Sequence, residues 1–256
     1  MTMLRAIATL SILGTQEWIR LKFFNIVVFV SLIFLWFSYL LSTLTFAVQE
    51  RLLFDFGLAG LEIGLLFVSA MIGSYAIQRE IDRKTLFVLL VRPIPRWYLI
   101  IGSFGAIAIL SLIFTLGFGF SLLVASGNWP LLNNFVVLVL SSFFKSLVIS
   151  SFALAMGLLV RPILSLGMTF CYWVLCYSVP DIDFFVKKLQ SPSLDKVVEI
   201  LDILIPQFYR FNWKAFYFLE HPPATQEFLW VLFYCLGWSF FWLFTAALVF
   251  RKKEIV

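Results

Sequence analysis

The chain has 256 residues, of which 62% are hydrophobic and 13% charged, with 31 Phe and 9 Trp. Soluble domains run nearer ~45–50% apolar and ~25% charged, so a soluble enzyme is excluded and little mass remains for an extramembrane catalytic domain. The formal charge of +5 is not a nucleic-acid signal here; what matters is where the basic residues fall.

Met3–Lys22 interrupts its apolar positions with Arg5, Glu17, Arg20 and Lys22. This pattern predicts an interfacial helix over 3–22, with Trp18 anchored at headgroup level. No cleavable signal peptide is recognisable, because Ala6-Ile7-Ala8 comes too early to follow an apolar core. A first span is expected over Phe23–Val48 and a second over Phe56–Ile77, separated by a short loop carrying Gln49, Glu50, Arg51 and Asp55. A charged segment follows, and then a third span over Trp97–Ala125, ended by the turn cluster Ser126-Gly127-Asn128-Trp129-Pro130. The fourth is expected over Leu131–Val160. Arg161-Pro162 makes a tight connection to a fifth over Ile163–Val179, and a sixth over Glu227–Phe250 precedes Arg251-Lys252-Lys253-Glu254. Each span has about the twenty apolar residues needed to cross ~30 Å of hydrocarbon. The fold class is all-α: one polytopic membrane domain over 1–256 with six transmembrane helices.

Six spans place both termini on one side. Basic residues cluster in the short segments on that side: Arg5, Arg20, Lys22, Arg79, Arg83, Lys84, Arg92, Arg96, Arg161, Arg251, Lys252 and Lys253. On the other side Arg51 stands alone in the short loops, and the rest lie in the long connection Pro180–Gln226. The positive-inside rule then makes both termini cytoplasmic. That connection (180–226) repeats Leu194, Val197, Val198, Leu201 and Leu204 at helical spacing until Pro206, and an aromatic stretch from Phe208 to Phe218 follows. Two short extracytoplasmic helices are expected there. They are read as surface packing, as a lid over a transport path, or as a docking face for an extracytoplasmic partner.

No soluble-enzyme constellation is present, and no catalytic or metal-binding residue is assigned. His221, the single histidine, precedes two prolines in an outer loop. No phosphate-cradling G-x-x-x-x-G-K-[ST] occurs, so energy for active work must come from another polypeptide. Cys171, Cys176 and Cys235 lie inside spans and read as small hydrophobes. No internal repeat is visible.

The segment between spans two and three carries the most information. It reads Arg79-Glu80-Ile81-Asp82-Arg83-Lys84-Thr85-Leu86-Phe87-Val88-Leu89-Leu90-Val91-Arg92-Pro93. Glu80 and Lys84 form a favourable i,i+4 pair. Ile81, Thr85 and Leu89 share a face that Leu86 and Leu90 extend, and Pro93 and Pro95 stop the helix. A basic loop on anionic lipid would suit the charges, but the two acids and the apolar face suit a handle for a soluble partner.

This run of Arg79-Glu80, Lys84-Thr85-Leu86, Leu89-Leu90 and Pro93-Ile94 resembles the coupling helix of type-2 ABC exporter permeases, read here over 79–92. The order of elements resembles that family along the whole chain. Lys84 and Phe87 depart from its usual Gly and Glu. The resemblance implies a permease of the bacterial cytoplasmic (inner) membrane, paired with a second copy or a sister permease. Each half would bind an ABC ATPase subunit, and that partner would hold ATP and Mg, leaving no cofactor on this chain. Arg79, Glu80, Asp82 and Arg83 would make the polar contacts to the ATPase, and Thr85, Leu86, Leu89 and Leu90 would complete the docking helix. Outward transport of a lipid-like or hydrophobic substrate is the expected function. The alternative is a non-transporting anchor that relays ATPase motion to an extracytoplasmic partner.

Two charges fall inside spans. Glu62 sits in Gly60-Leu61-Glu62-Ile63-Gly64, a spacing that allows close helix approach. Lys145 falls near the middle of span four, where a lysine costs at least ~2.5–3.5 kcal/mol and should face protein or water. They are candidates for a polar element of a substrate path or a dimer interface. With Glu62 only a few residues into its span, their depths differ by ~15 Å at ~1.5 Å per residue, so no direct pair is expected.

Overall fold

The computed structural model describes residues 3–43, 49–82, 97–127, 132–189, 192–213 and 225–252. Every regular element among them is helical: α1 (Met3–Arg20), α2 (Lys22–Thr43), α3 (Gln49–Asp82), α4 (Trp97–Ser126), α5 (Leu132–Leu159), α6 (Pro162–Leu189), α7 (Pro192–Leu204), a 3-10 turn (Phe208–Phe211) and α8 (Thr225–Lys252). Six of them, α2 to α6 and α8, are long and apolar enough to cross a membrane. The chain is a multi-pass all-α membrane protein. Consecutive spans alternate in direction, so the bundle has a proximal end, where α3 finishes and α4 begins, and a distal end, where α6 leads into α7.

Local chemistry sets the breaks. Leu21 interrupts α1 and α2, and its N–H closes a last turn on the Trp18 carbonyl at 3.2 Å. Gly127 ends α4 with φ +66° and donates to the Leu123 carbonyl at 3.1 Å, a left-handed cap that glycine adopts without strain. Pro162 starts α6 at a position where its missing N–H removes no helix bond.

Two helix ends differ from the sequence expectation. The second span begins at Gln49 and not at Phe56, so the supposed loop charges lie within α3, where Arg51 and Asp55 face each other across one turn at 4.0 Å. The fifth does not stop at Val179; it runs through Pro180 to Leu189, with Lys187 bonded to Asp183 at 2.6 Å. Both helices are longer than the hydrocarbon core is thick. At ~1.5 Å per residue α3 spans about 51 Å, so its charged turns emerge at headgroup level, where they are solvated and pair at i,i+4. Hydropathy marks where hydrocarbon ends, not where a helix ends.

α3 and α5 form the centre, with 67% and 72% of their apolar stretches buried against 22% for α2 and α8. Their close approach comes from small residues. A Cβ built on Gly73 would lie 2.7 Å from the Cβ of Ala153, and one on Gly157 would lie 2.6 Å from the Ser74 carbonyl oxygen. Membrane helices gain from such contact because no hydrophobic drive brings them together in lipid. The serines of α5 satisfy themselves: Ser141, Ser146, Ser150 and Ser151 each donate to a carbonyl three residues back. α6 joins the centre through Ser165, whose hydroxyl lies 2.9 Å from that of Ser74 and donates to the Ala153 carbonyl at 3.2 Å.

α1 lies across the proximal end, not apart from it. Leu10, Gly14, Glu17 and Trp18 share a groove of about 210 Å³ with Ala76 and Glu80 of α3 and Leu99, Ser103 and Ala106 of α4. Gly102 and Gly105 of α4 make room for Leu10 and Ser11. Ile12, Leu13 and Ile19 remain exposed, as an interfacial helix requires.

Candidate functional site

The buried charges come together. Lys145 Nζ donates to Glu62 Oε1 at 2.9 Å and to the Tyr177 hydroxyl oxygen at 3.0 Å. The Tyr177 hydroxyl donates to Glu62 Oε2 at 3.2 Å. The three groups close a triangle across α3, α5 and α6, with the lysine and glutamate side chains 5% and 12% exposed. This overturns the expectation that Glu62 and Lys145 lie at different depths. Glu62 stands thirteen residues after Gln49 and Lys145 thirteen residues after Leu132. α3 and α5 run in the same direction, so equal offsets give equal depth. The error came from starting the second span at Phe56.

Tyr177 escaped the sequence reading for the mirror-image reason. With the fifth span ended at Val179 it reads as a headgroup-level tyrosine; with α6 continued to Leu189 it falls at mid-helix. A phenol there carries a donor and an acceptor on an apolar body, which lets it bridge an ammonium and a carboxylate. The local charge balances, and each carboxylate oxygen has a donor, so the triangle is a satisfied network and not a stranded charge.

Above the triangle, toward the distal end, sit the residues that follow α7. Phe208 is fully buried, its ring edge-on to Tyr177 at a centroid distance of 5.7 Å. Phe211 packs on Tyr234 of α8 at 5.6 Å, and Trp213 reaches Phe228 at 6.1 Å. Phe228 in turn touches Phe144, the neighbour of Lys145 on α5. The Gln207 N–H donates to the Tyr234 hydroxyl at 3.1 Å, and the Gln207 side chain bonds the Asp202 carbonyl at 3.3 Å and receives the Tyr209 hydroxyl at 3.2 Å. Arg210 is exposed and donates to the Tyr209 hydroxyl at 3.4 Å, which is the chief cause holding its guanidinium above its ordinary value. The predicted short helix before Pro206 is α7. Of the aromatic stretch, the described part is the tucked 3-10 turn and Trp213.

At the proximal end, Arg79 closes α3 with a second ion pair. Its Nη2 donates to Glu17 Oε1 at 2.8 Å, and its guanidinium lies over the Trp18 ring at 5.0 Å. Glu80 lines the adjoining groove under α1. Asp82 is the last helical residue of α3. Arg83, Thr85, Leu86, Leu89 and Leu90 of the expected docking segment, and His221, lie outside the described residues. Trp18 is legible as an interface anchor and Glu17 as a charge on the same helix, but the Glu17–Arg79 pair joins residues 62 positions apart and no local pattern announces it.

Cys176 and Cys235 are buried and Cys171 is exposed, all three as free thiols. Among the described residues no group of three or more His, Cys, Asp or Glu could hold a metal ion. No curated protein matches the chain. Residues 58–254 match the family described as ABC-2 family transporter protein, a stretch that takes in all three members of the triangle and the charged segment after α3.

Proposed function

Because the chain belongs to the ABC-2 family of transporter proteins, we propose that it is the membrane-spanning half of an ATP-driven exporter. ATP and Mg would be held by a separate ATPase subunit docked on the cytoplasmic face. The proximal end is that face, with both termini on it, and residues 79–92 form the docking helix. A second copy or a sister permease completes the path. The substrate is hydrophobic or lipid-like, and it moves outward past Glu62, Lys145 and Tyr177.

The observation that carries this reading is the placing of Arg79 and Glu80. They close the most proximal turns of α3, a central helix of the bundle, and Arg79 is tied to α1. A push on the segment that follows therefore reaches the central pair α3 and α5 directly. A second reading keeps the ATPase but moves no substrate. The tucked residues 205–213 join α6 to α8, and such a junction would pass motion to an extracytoplasmic partner.

Purification of the tagged chain from its native membranes tests the docking. An ABC ATPase is expected to accompany the parent and to be lost from the Glu80→Ala, Arg83→Ala variant. Equal recovery with both would move the contact elsewhere, and no ATPase in either, even after crosslinking, would sink the assembly. Substrate-stimulated ATPase activity of the complex separates exporter from relay.

A further inference from the structure

The outer wall of α8 carries a groove that the bundle leaves open. It measures about 430 Å³ and is lined by Leu204 at the end of α7 and by Phe233, Tyr234, Gly237, Trp238 and Phe241 of α8. Phe233 stands eight residues after Thr225 and Phe241 sixteen. At ~1.5 Å per residue the groove runs from about 12 to about 24 Å below the distal tip of the helix, which puts it in the hydrocarbon of the distal half of the membrane. Leu204, Phe233 and Phe241 are each more than half exposed. Gly237 forms the floor, where an added Cβ would meet nothing within 4 Å. Gly73 and Gly157 admit a neighbouring helix; Gly237 leaves space. Both the size and the apolar lining suit a small-molecule site, which runs ~300–1,000 Å³ with a few fixed polar groups.

Those polar groups gather at the distal rim. Tyr234 accepts the Gln207 N–H at 3.1 Å, and among the described residues nothing accepts its own hydroxyl hydrogen. Arg210 donates to the Tyr209 hydroxyl at 3.4 Å, and Tyr234 and Asp202 both lie near enough to act on its charge. Arg210 and Asp202 are exposed, and neither joins an ion pair among the described residues. An acid and a base that feel each other's field and yet stay unpaired form a receptor for a zwitterion. A guanidinium takes a phosphate through charge-assisted hydrogen bonds, and a carboxylate accepts from an ammonium that carries hydrogens. Long basic side chains beside hydrocarbon reach for the headgroup layer.

We propose that this groove holds one zwitterionic phospholipid of the distal leaflet, with an acyl chain along Phe233, Gly237 and Phe241, its phosphate on Arg210 and the Tyr234 hydroxyl, and an ethanolamine-type ammonium on Asp202. The bilayer supplies both parts, chain and zwitterion, at these depths. The inference needs only that the chain spans a membrane, so it stands or falls apart from the transport reading.

Native mass spectrometry of the purified chain with its accompanying subunits in mild detergent tests it. The titrants are a phosphatidylethanolamine, a phosphatidylcholine and a phosphatidylglycerol with the same acyl chains. The parent should retain one phosphatidylethanolamine per chain, held more tightly than the other two. Gly237→Leu, which fills the floor, should weaken that binding by about tenfold or more, the ratio equivalent to ~1.4 kcal/mol. Arg210→Gln should do the same, and Asp202→Asn should remove the preference for ethanolamine over choline. Gly167→Leu, at another glycine with open space around it, should bind as the parent does. A parent that retains no lipid overturns the site. Parent-like binding by Gly237→Leu, or an equal loss in Gly167→Leu, also overturns it and leaves an adventitious lipid only. A change in the number of chains per complex with Gly237→Leu overturns it too, since the groove then holds a second copy. If Gly237→Leu does not give a monodisperse protein, Arg210→Gln, at an exposed position, decides alone.

Discussion

Lys145→Met is expected to destabilise the bundle by about 3–5 kcal/mol, the range seen when one partner of a buried ion pair is removed. Glu62→Met should do the same. In each variant a charged group at mid-membrane loses the opposite charge it pairs with at 2.9 Å. Tyr177→Phe should cost less, because the ion pair itself survives and what is lost is hydrogen bonding to charged groups, worth about 1.5–3 kcal/mol. The decisive comparison is the triple variant Glu62→Met, Lys145→Met, Tyr177→Phe. Replacing a whole buried pair by apolar groups is neutral or stabilising in other proteins, so the triple variant should recover most of the parent's stability. The monodisperse fraction surviving stepwise heating in mild detergent gives the ranking. Single variants as robust as the parent would show that the triangle is not a closed electrostatic unit. A triple variant that folds, binds its ATPase and yet moves no substrate would separate the polar groups' work in transport from their part in holding α3, α5 and α6 together.

Gly157→Ala should be nearly as damaging, for a steric reason. The added Cβ would lie 2.6 Å from the Ser74 carbonyl oxygen and 3.1 Å from two further backbone atoms of the same residue. Backbone in the middle of a buried helix cannot swing aside, so α3 and α5 must separate and lose the Ser74–Ser165 contact with them. Overpacking commonly costs 1–3 kcal/mol and occasionally more; with two central helices involved, about 3 kcal/mol is expected. Gly57→Ala makes a useful contrast, because the Cβ there meets only the flexible end of Leu122. Gly117→Ala meets nothing within 4 Å and should be neutral or stabilising by up to about 1 kcal/mol, the helix preference of Ala over Gly. If Gly157→Ala and Gly117→Ala melt together in the same heating assay, the tight α3–α5 crossing is wrong.

The number and order of the helices were legible because each span is a long apolar run, and α1 and α7 were legible because their charges alternate with apolar residues at helical spacing. Gly127 and Arg161-Pro162 announced their turns. The ends of α3 and α6 were not legible, because charged residues at headgroup level and a proline inside a helix read like loop. Those two ends decided the site: with Gln49 and Leu189 as the true limits, Glu62, Lys145 and Tyr177 fall at one depth; with Phe56 and Val179 they do not. Lys145 and Glu62 could be picked out singly, since a charge in hydrocarbon is conspicuous. Their pairing could not, because partners 83 positions apart leave no local trace. The tucked turn was equally hidden. The sequence leaves open whether the stretch with Phe208, Phe211 and Trp213 lies on the outer leaflet or dips into it, and the packing against Tyr177, Tyr234 and Phe228 favours the second.

The ion triangle also sets a timetable for synthesis. Its members arrive in the order Glu62, Lys145, Tyr177, and 83 residues separate the first two. At ~5–20 residues per second a ribosome takes roughly 4–17 s to cover that distance. For that interval α3 must be delivered to the bilayer with an acidic group whose counter-ion does not yet exist, and the phenol follows later still. The nascent helix must be sheltered by the insertion machinery until α5 emerges. A ribosome stalled between these two residues should leave α3 poorly integrated and open to extraction, whereas a stall beyond Tyr177 should leave it locked.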